Sequence, residues 1–307
     1  MLAAMGDRWS KKTLEFLRRP GEVERTPTLD VGAHATIVGR TDQGCVREKN
    51  EDQFVVASLE RSMRLEQCGY PENDGQRLTD GGTGRLMMVA DGMGGQQGGE
   101  VASAVVVDAM LSYASTMMPW LRAASDQAGR SLADGLREAV LRSKRRMQDV
   151  ARRKGFDRDM GSTLTLGYVA WPTLYLVHVG DSRAYLHRGG EMIRLTRDHN
   201  LAETMVRQNV MTEEEAQNSR FASVLTNAVT SSNEELEVEL HQLELQLGDK
   251  LLLCTDGLYG EVSERDIAGR LLHVVSPDLV APCVASLVDA ANQAGGRDNV
   301  TAVLAYF

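Results

Sequence analysis

Cysteine is scarce in this chain, and its spacing excludes the usual sulfur chemistries. The four residues are Cys45, Cys68, Cys254 and Cys283, with no CxxC pair among them. That argues against a zinc knuckle or a dithiol redox motif. None has an arginine six positions downstream, so the loop of the cysteine-nucleophile phosphatases is absent. Long apolar runs are missing too. No stretch reaches the roughly 18 residues that a membrane-spanning helix needs. The opening MLAAMGDRWSKK holds no apolar segment of the kind that a secretory signal uses. A reducing, cytoplasmic setting is the expectation. Positive charge is in deficit, with a formal net charge of -9. This disfavours nucleic-acid binding, which relies on a basic surface. A phosphorylated partner would be repelled as well, unless bound cations supplied local positive charge.

What is present is an ordinary soluble composition: 307 residues, 42% hydrophobic and 25% charged. Residues 1–32 are polar and carry Pro20 and Pro27, which reads as a tail with a short helix at 9–19. Residues 33–307 alternate between strand and helix signals. Strands are expected at 34–39, 53–58, 86–90, 163–170, 173–179, 183–188, 236–241, 250–254 and 300–306, from β-branched or apolar runs bounded by Gly, Asp or Asn. Helices are expected at 99–118, 131–154, 200–208, 212–218, 263–274 and 277–294. The basic run KRRMQDVARRK reads as a solvated helix face. Strands come in neighbouring runs with helices grouped between them. That is an α+β pattern of antiparallel sheets covered by helices. Residues 59–85, polar and Gly-rich, read as a surface insertion. Residues 200–222 form a helical excursion, with capping-box spacing at Asn200/Glu203 and Thr212/Glu215.

Acidic residues recur at strand ends. RLMMVAD ends at Asp91 and is followed by GMGG. KLLLCTD ends at Asp256 and is followed by GLYG. Asp298 precedes VTAVLAYF, Glu51 and Asp52 precede QFVVAS, and Asp181 lies in LYLVHVGDSRAYLHR, read as a hairpin. A lone Asp-Gly after a strand is ordinarily a turn. Five acidic strand-end sites together suggest more. In antiparallel sheets the end of one strand lies beside the start of its neighbour, so these carboxylates can meet at one edge. Such a cluster would repel itself without cations between its members. Oxygen-only ligands point to hard ions such as Mg²⁺ or Mn²⁺.

Seven segments, TDQGCVREKNEDQF, VADGMGGQQGGEVAS, GSTLTLGYV, VHVGDSRAYLHRGGEMIRLTRDHN, VLTNAV, GDKLLLCTDGLYGEVS and GRDNVTAVL, resemble the ordered motifs of the metal-dependent type-2C (PPM) serine/threonine protein phosphatases, bacterial-type. The resemblance implies a four-layer α-β-β-α sandwich of two antiparallel sheets flanked by helices. It implies hydrolysis of phosphoserine and phosphothreonine by a metal-activated water, without a phosphoenzyme. Two Mn²⁺ or Mg²⁺ ions per chain are implied, with a third held more weakly. Asp91 would bridge two metals, the Gly92 carbonyl would ligate one, and Asp256 and Asp298 would complete the other. Glu51 and Asp52 would be ligands or orient the waters around them. Asp181 would hold the third ion together with Asp256. Arg47 would grip the substrate phosphate, making Arg47 and Asp91 the catalytic pair. Residues 200–222 match the family's flap beside the active site. Partners would be phosphorylated proteins, a Ser/Thr kinase or its targets, met by a monomer with no membrane span and no nucleic acid. Met93 stands where many relatives carry a histidine proposed as general acid, so leaving-group protonation must come from elsewhere. His199, in RDHN, and His178, mid-strand, read as structural. A non-catalytic phosphoprotein-binding relative and a small-phosphoester hydrolase are the competing readings.

Overall fold

A computed structural model of the protein describes residues 35–64, 77–94, 98–116, 126–156, 159–217, 219–232 and 235–307. The tail and its expected helix at 9–19 lie outside the described residues.

Two antiparallel sheets form the centre. The strands are β1 (Thr36–Asp42), β2 (Asp52–Arg64), β3 (Arg77–Met93), β4 (Gly161–Ser162), β5 (Leu164–Ala170), β6 (Thr173–Val179), β7 (Arg183–Arg188), β8 (Glu191–Arg194), β9 (Val229–Thr230), β10 (Glu239–Glu244), β11 (Lys250–Cys254) and β12 (Val300–Tyr306). One sheet has the order β1-β12-β11-β7-β8. The other runs β10-β6-β5-β3-β4-β9, with β2 paired to β3. Helices α1 (Gly98–Thr116) and α2 (Asp126–Lys154) follow β3. The short α3 (Leu201–Arg207), α4 (Glu213–Gln217) and α5 (Asp256–Tyr259) come next, then α6 (Glu264–Leu272) and α7 (Val280–Ala294).

The period of two along each strand builds three separate apolar layers. In β3, Leu86 and Met88 face α1 and α2, meeting Ala102, Val106, Leu132 and Leu136. Met87 and Val89, on the opposite face, meet Leu186, Leu251, Leu253 and Val303 of the other sheet. Leu252, Cys254, Ala302 and Leu304 then point outward onto Ile267, Leu271, Leu287 and Val288 of α6 and α7. The arrangement is the expected helix-sheet-sheet-helix sandwich.

One local reading gains detail and one changes. The stretch at 59–85, read as a surface insertion, carries strand at its described ends. The β2–β3 ladder continues outward through a bulge between Leu59 and Arg61, and pairs Arg61 with Asp80 and Arg64 with Arg77. A backbone ladder needs no apolar side chains, so polar, Gly-rich text concealed it. Second, Asp181 does not sit in a hairpin. β6 belongs to one sheet and β7 to the other. Gly180, at φ +106°, turns the chain across the gap between them. β4, β8 and β9 had no counterpart among the expected strands. At Thr212 the full capping box forms, with Oγ1 accepting the Glu215 N–H at 3.3 Å and the Thr212 N–H donating to Glu215 Oε2 at 2.8 Å, whereas at Asn200 only the N-cap half is present, Oδ1 accepting the Glu203 N–H at 2.8 Å.

Leu253 is fully buried between the sheets, whereas Val275 is 69% exposed. Leu253→Ala should cost about 2–5 kcal/mol of unfolding free energy in urea. Val275→Ala should change it by no more than about 0.5 kcal/mol. Equal small effects would contradict the packing of the two sheets against each other.

Candidate metal centre and active site

Register brings the acidic residues to one end of the sandwich. Asp52 and Asp91 are direct partners across the β2–β3 ladder. In the other sheet, Cys254 pairs with Ala302. Asp256, two residues on, therefore lies level with the segment that carries Asp298 into β12. Asp256 opens the one-turn helix α5. The crossing between sheets delivers Asp181 to the same end.

Backbone spacing at this end is tight. A Cβ on Gly92 would stand 2.1 Å from the Gly99 carbonyl oxygen and 2.7 Å from that of Glu51. A Cβ on Gly257 would stand 2.0 Å from the Asn299 carbonyl oxygen. Only glycine lets these chains approach so closely. Glu51 receives the Gly92 N–H on its carbonyl, and the Ser103 hydroxyl donates to the same oxygen at 2.6 Å. The Glu51 carboxyl lies against Gly99 at the start of α1.

Asp52 is buried, and one of its oxygens accepts from Thr255 at 2.8 Å and Thr301 at 2.6 Å. Its other oxygen, Oδ1, and Oδ1 of Asp256 are buried without a hydrogen-bond partner. Burial comes first in raising every one of these acids, and their mutual repulsion adds to it. Asp52 is pushed up to about 7 by burial and by Asp256 and Asp298. Asp256 is pushed up to about 6 by burial and by Asp298. Asp91 is raised well above the carboxylate range by burial and by Asp52, Asp256, Asp181 and Asp298. Asp181 is raised likewise by burial, Asp256 and Asp198. Burial also raises Glu51. Orphaned oxygens, an all-oxygen donor set and crowded negative charge are what a hard divalent cation relieves. The residues present fit such ions.

Arg47 overlooks the cluster. Its guanidinium donates to Asp298 Oδ2 at 2.6 Å, and that bond, with the charges of Asp91 and Asp256, holds its pKa above the ordinary value against desolvation. Sequence reasoning placed both residues here but not their pairing. It also missed the groups that hold the loops. Asn299 donates to the Gln43 and Lys49 carbonyls, each at 2.8 Å, and accepts the Glu51 N–H at 2.8 Å. It thereby fixes the segment that carries Arg47. Thr163 receives and returns backbone bonds with Asp91. Asn299, inside the GRDNV motif, was the one legible signal for this scaffold.

Among the described residues, His178, His199 and Glu239 have ligand-type atoms within 4.8 Å of one another. Their bonds favour a structural role. His178 Nε2 donates to the Arg197 carbonyl at 2.8 Å, and Nδ1 meets Thr165 Oγ1 at 2.9 Å. Burial drives its pKa down to about 4, so the ring is neutral. His199 Nδ1 accepts from the Gly180 N–H and the Asn227 amide. These lone pairs are already engaged.

The model of the family described as protein phosphatase 2C matches residues 65–305. The chain is 33% identical over 266 residues to the serine/threonine protein phosphatase PstP of Mycobacterium tuberculosis, covering 87% of this chain and 44% of that protein. It thus spans less than half the length of that relative. Against the serine/threonine phosphatase stp of Listeria welshimeri it is 29% identical over 265 residues, covering 86% of this chain and 93% of the relative. The solved structure of the M. tuberculosis serine/threonine phosphatase PstP/Ppp is similar at a TM-score of 0.70 and 32% identity, over 89% of this chain and 98% of that one. The catalytic domain of PstP in complex with two manganese ions gives 0.68 and 31%, over 89% and 97%.

The raised carboxyls carry protons near pH 6 that a bound cation must displace. Calorimetric titration of chelator-treated protein with Mn²⁺ at about pH 6, in buffers of different ionisation enthalpy, should show release of about one proton or more per chain. The contribution of Asp52 and Asp256 to that release should fade above about pH 8, beyond the values of about 7 and about 6 to which they are pushed. Binding without proton release at the lower pH would contradict the crowding described.

Proposed function

The chain belongs to the protein phosphatase 2C family, and from that premise we propose that it is a metal-dependent phosphatase for phosphoserine and phosphothreonine in proteins. The observation that carries this reading is the register that sets Asp52 beside Asp91 at the end of the sandwich where Asp256 and Asp298 arrive from the other sheet, with Arg47 bonded to Asp298. Asp91, the Gly92 carbonyl, Asp256 and Asp298 would hold two Mn²⁺ or Mg²⁺ ions, and Asp181 with Asp256 would hold a third more weakly. Such ions would supply an acidified water and positive charge for the phosphoryl oxygens.

The chain's own groups account for the rest. Glu51 and Asp52 stand behind the ligands and orient the solvent around them. Arg47 presents a planar fork suited to two phosphate oxygens. It leaves Asp298 at little cost, because the pair is partly exposed, with Arg47 52% accessible, and exposed ion pairs stabilise weakly. Cys254 and Cys283 do not serve as nucleophiles: both are buried, and burial pushes their thiols up to about 12 and 11. Met93 offers no proton, so the proton for the leaving oxygen comes from solvent ordered on the Asp181 side. The excursion at 200–222 acts as the flap that shapes substrate choice. The substrate is a phosphorylated protein, a Ser/Thr kinase or its target, met by a monomer in the cytoplasm. No helix among the described residues is long and apolar enough to cross a membrane.

Phosphopeptide hydrolysis should require Mn²⁺ or Mg²⁺ and stop with chelator. Asp91→Asn and Asp256→Asn should be folded yet nearly inactive, and full activity in either would sink the assignment. A panel of small phosphometabolites run beside the peptides separates the protein phosphatase from a small-ester hydrolase. Arg47→Ala should lower kcat/KM by roughly 10- to 100-fold, the value of a charge-assisted contact, chiefly through KM. An unchanged kcat/KM would remove Arg47 from the site.

Leaving-group dependence tests Asp181. Serine and threonine leave as strongly basic alkoxides, whereas nitrophenyl phosphate releases a weakly basic phenolate. At saturating metal, Asp181→Ala should slow phosphoserine peptides strongly and nitrophenyl phosphate much less. Equal losses would mean that Asp181 has no part in supplying the proton.

A further inference from the structure

Tyr259 links the segments that carry two of the acidic groups, Asp181 and Asp256. It closes α5, one turn after Asp256. Its hydroxyl donates to the main-chain carbonyl of Asp181 at 2.9 Å. The two acids reach the site on different paths. Asp181 lies on the link that crosses between sheets, while Asp256 follows β11. Tyr259 is a direct bond between those paths.

The ring is fixed as firmly as the hydroxyl. The guanidinium carbon of Arg183 lies 3.6 Å from the centre of the Tyr259 ring. Arg183 starts β7, two residues after Asp181, and is itself clamped. Its Nε and Nη2 donate to the two oxygens of Asp198, at 3.0 and 2.7 Å. Its Nη1 reaches the Tyr185 hydroxyl at 3.1 Å and Glu264 Oε1 at 3.3 Å. Tyr185 donates to the same Glu264 oxygen at 2.9 Å. Arg183, Tyr185 and Asp198 are all buried. The network thus ties β7, α5 and the start of α6 into one rigid block, with Asp181 and Asp256 on its edge. A cation shared by two carboxylates depends steeply on how far apart they are held, because ligand geometry sets affinity.

We infer that Tyr259 is a positioning residue for the Asp181–Asp256 pair, fixing the spacing of the two carboxylates and with it the affinity of the weaker divalent-cation site that they share. This rests on the proposed third cation at Asp181. Tyr259 bonds the main chain of Asp181 and not its carboxylate. It acts through the orientation of the Asp181 peptide, as outer partners of metal ligands commonly do.

The test is calorimetric titration of the full chain with Mn²⁺, comparing the parent with Tyr259→Phe, Asp181→Ala and the double variant. Tyr259→Phe removes one oxygen and keeps the ring under Arg183, so the chelated variant should melt within about 3 °C of the parent. Its tight binding events should be unchanged. Its weak event should be about three- to ten-fold weaker, the range for one lost neutral hydrogen bond. Asp181→Ala should abolish the weak event, and adding Tyr259→Phe should then change nothing. Loss of the weak event in Asp181→Ala but not in Tyr259→Phe would overturn the positioning role and leave the third site standing. A weak event untouched by Asp181→Ala would overturn the site, and this inference with it. Weakening of all events alike in Tyr259→Phe would reduce Tyr259 to general support of the fold and contradict the inference.

Discussion

Mutual repulsion among Asp52, Asp91, Asp181, Asp256 and Asp298 is the constraint on which the rest of this structure depends. Burial and proximity push Asp52, Asp91, Asp181 and Asp256 toward the protonated state. A chain that gathers them at one end of a sandwich must hold them there by other means. It does so with hydroxyls and amides from several elements: Thr255 and Thr301 on Asp52, Thr163 on Asp91, and Asn299 across the loop from Gln43 to Glu51. The three apolar layers stabilise the frame. The cluster stores an electrostatic cost that cation binding relieves, which couples the stability of this end of the molecule to its metal.

The two-sheet design explains why the acids come from distant parts of the chain. A single antiparallel ladder delivers Asp52 and Asp91 side by side. The second sheet contributes Asp256 and Asp298, 165 or more positions later in the sequence, at the same height. Asp181 arrives on the link between the sheets. Glycines at 92 and 257 permit approaches that any side chain would block. The site is therefore a property of how the two sheets are stacked, and the carboxylates of neither sheet alone would form it.

Much of this was legible in the primary structure. The alternating apolar runs located most of the long strands because each buries its two faces in different layers. The Asp-Gly steps after two strongly apolar strands marked the acids. What escaped notice has physical causes. β4 and β9 are two residues long and carry no period. The outer β2–β3 ladder is specified by backbone pairing, which its polar text does not signal. The supposed hairpin at Gly180–Ser182 has ordinary turn chemistry, and nothing local distinguishes a turn within a sheet from a crossing between two. The Arg47–Asp298 bond and the Tyr259–Asp181 bond join residues 251 and 78 positions apart. Such pairings follow only from the assembled fold.

The most direct test of the central claim is a crystal of the full chain soaked in Mn²⁺, with anomalous diffraction recorded at the manganese edge. The account predicts two strong peaks flanking Asp91, one of them also against Asp256 and Asp298, with Arg47 turned away from Asp298. Peaks confined to other acidic surfaces or to the His178–His199–Glu239 cluster, with none beside Asp91, would contradict it.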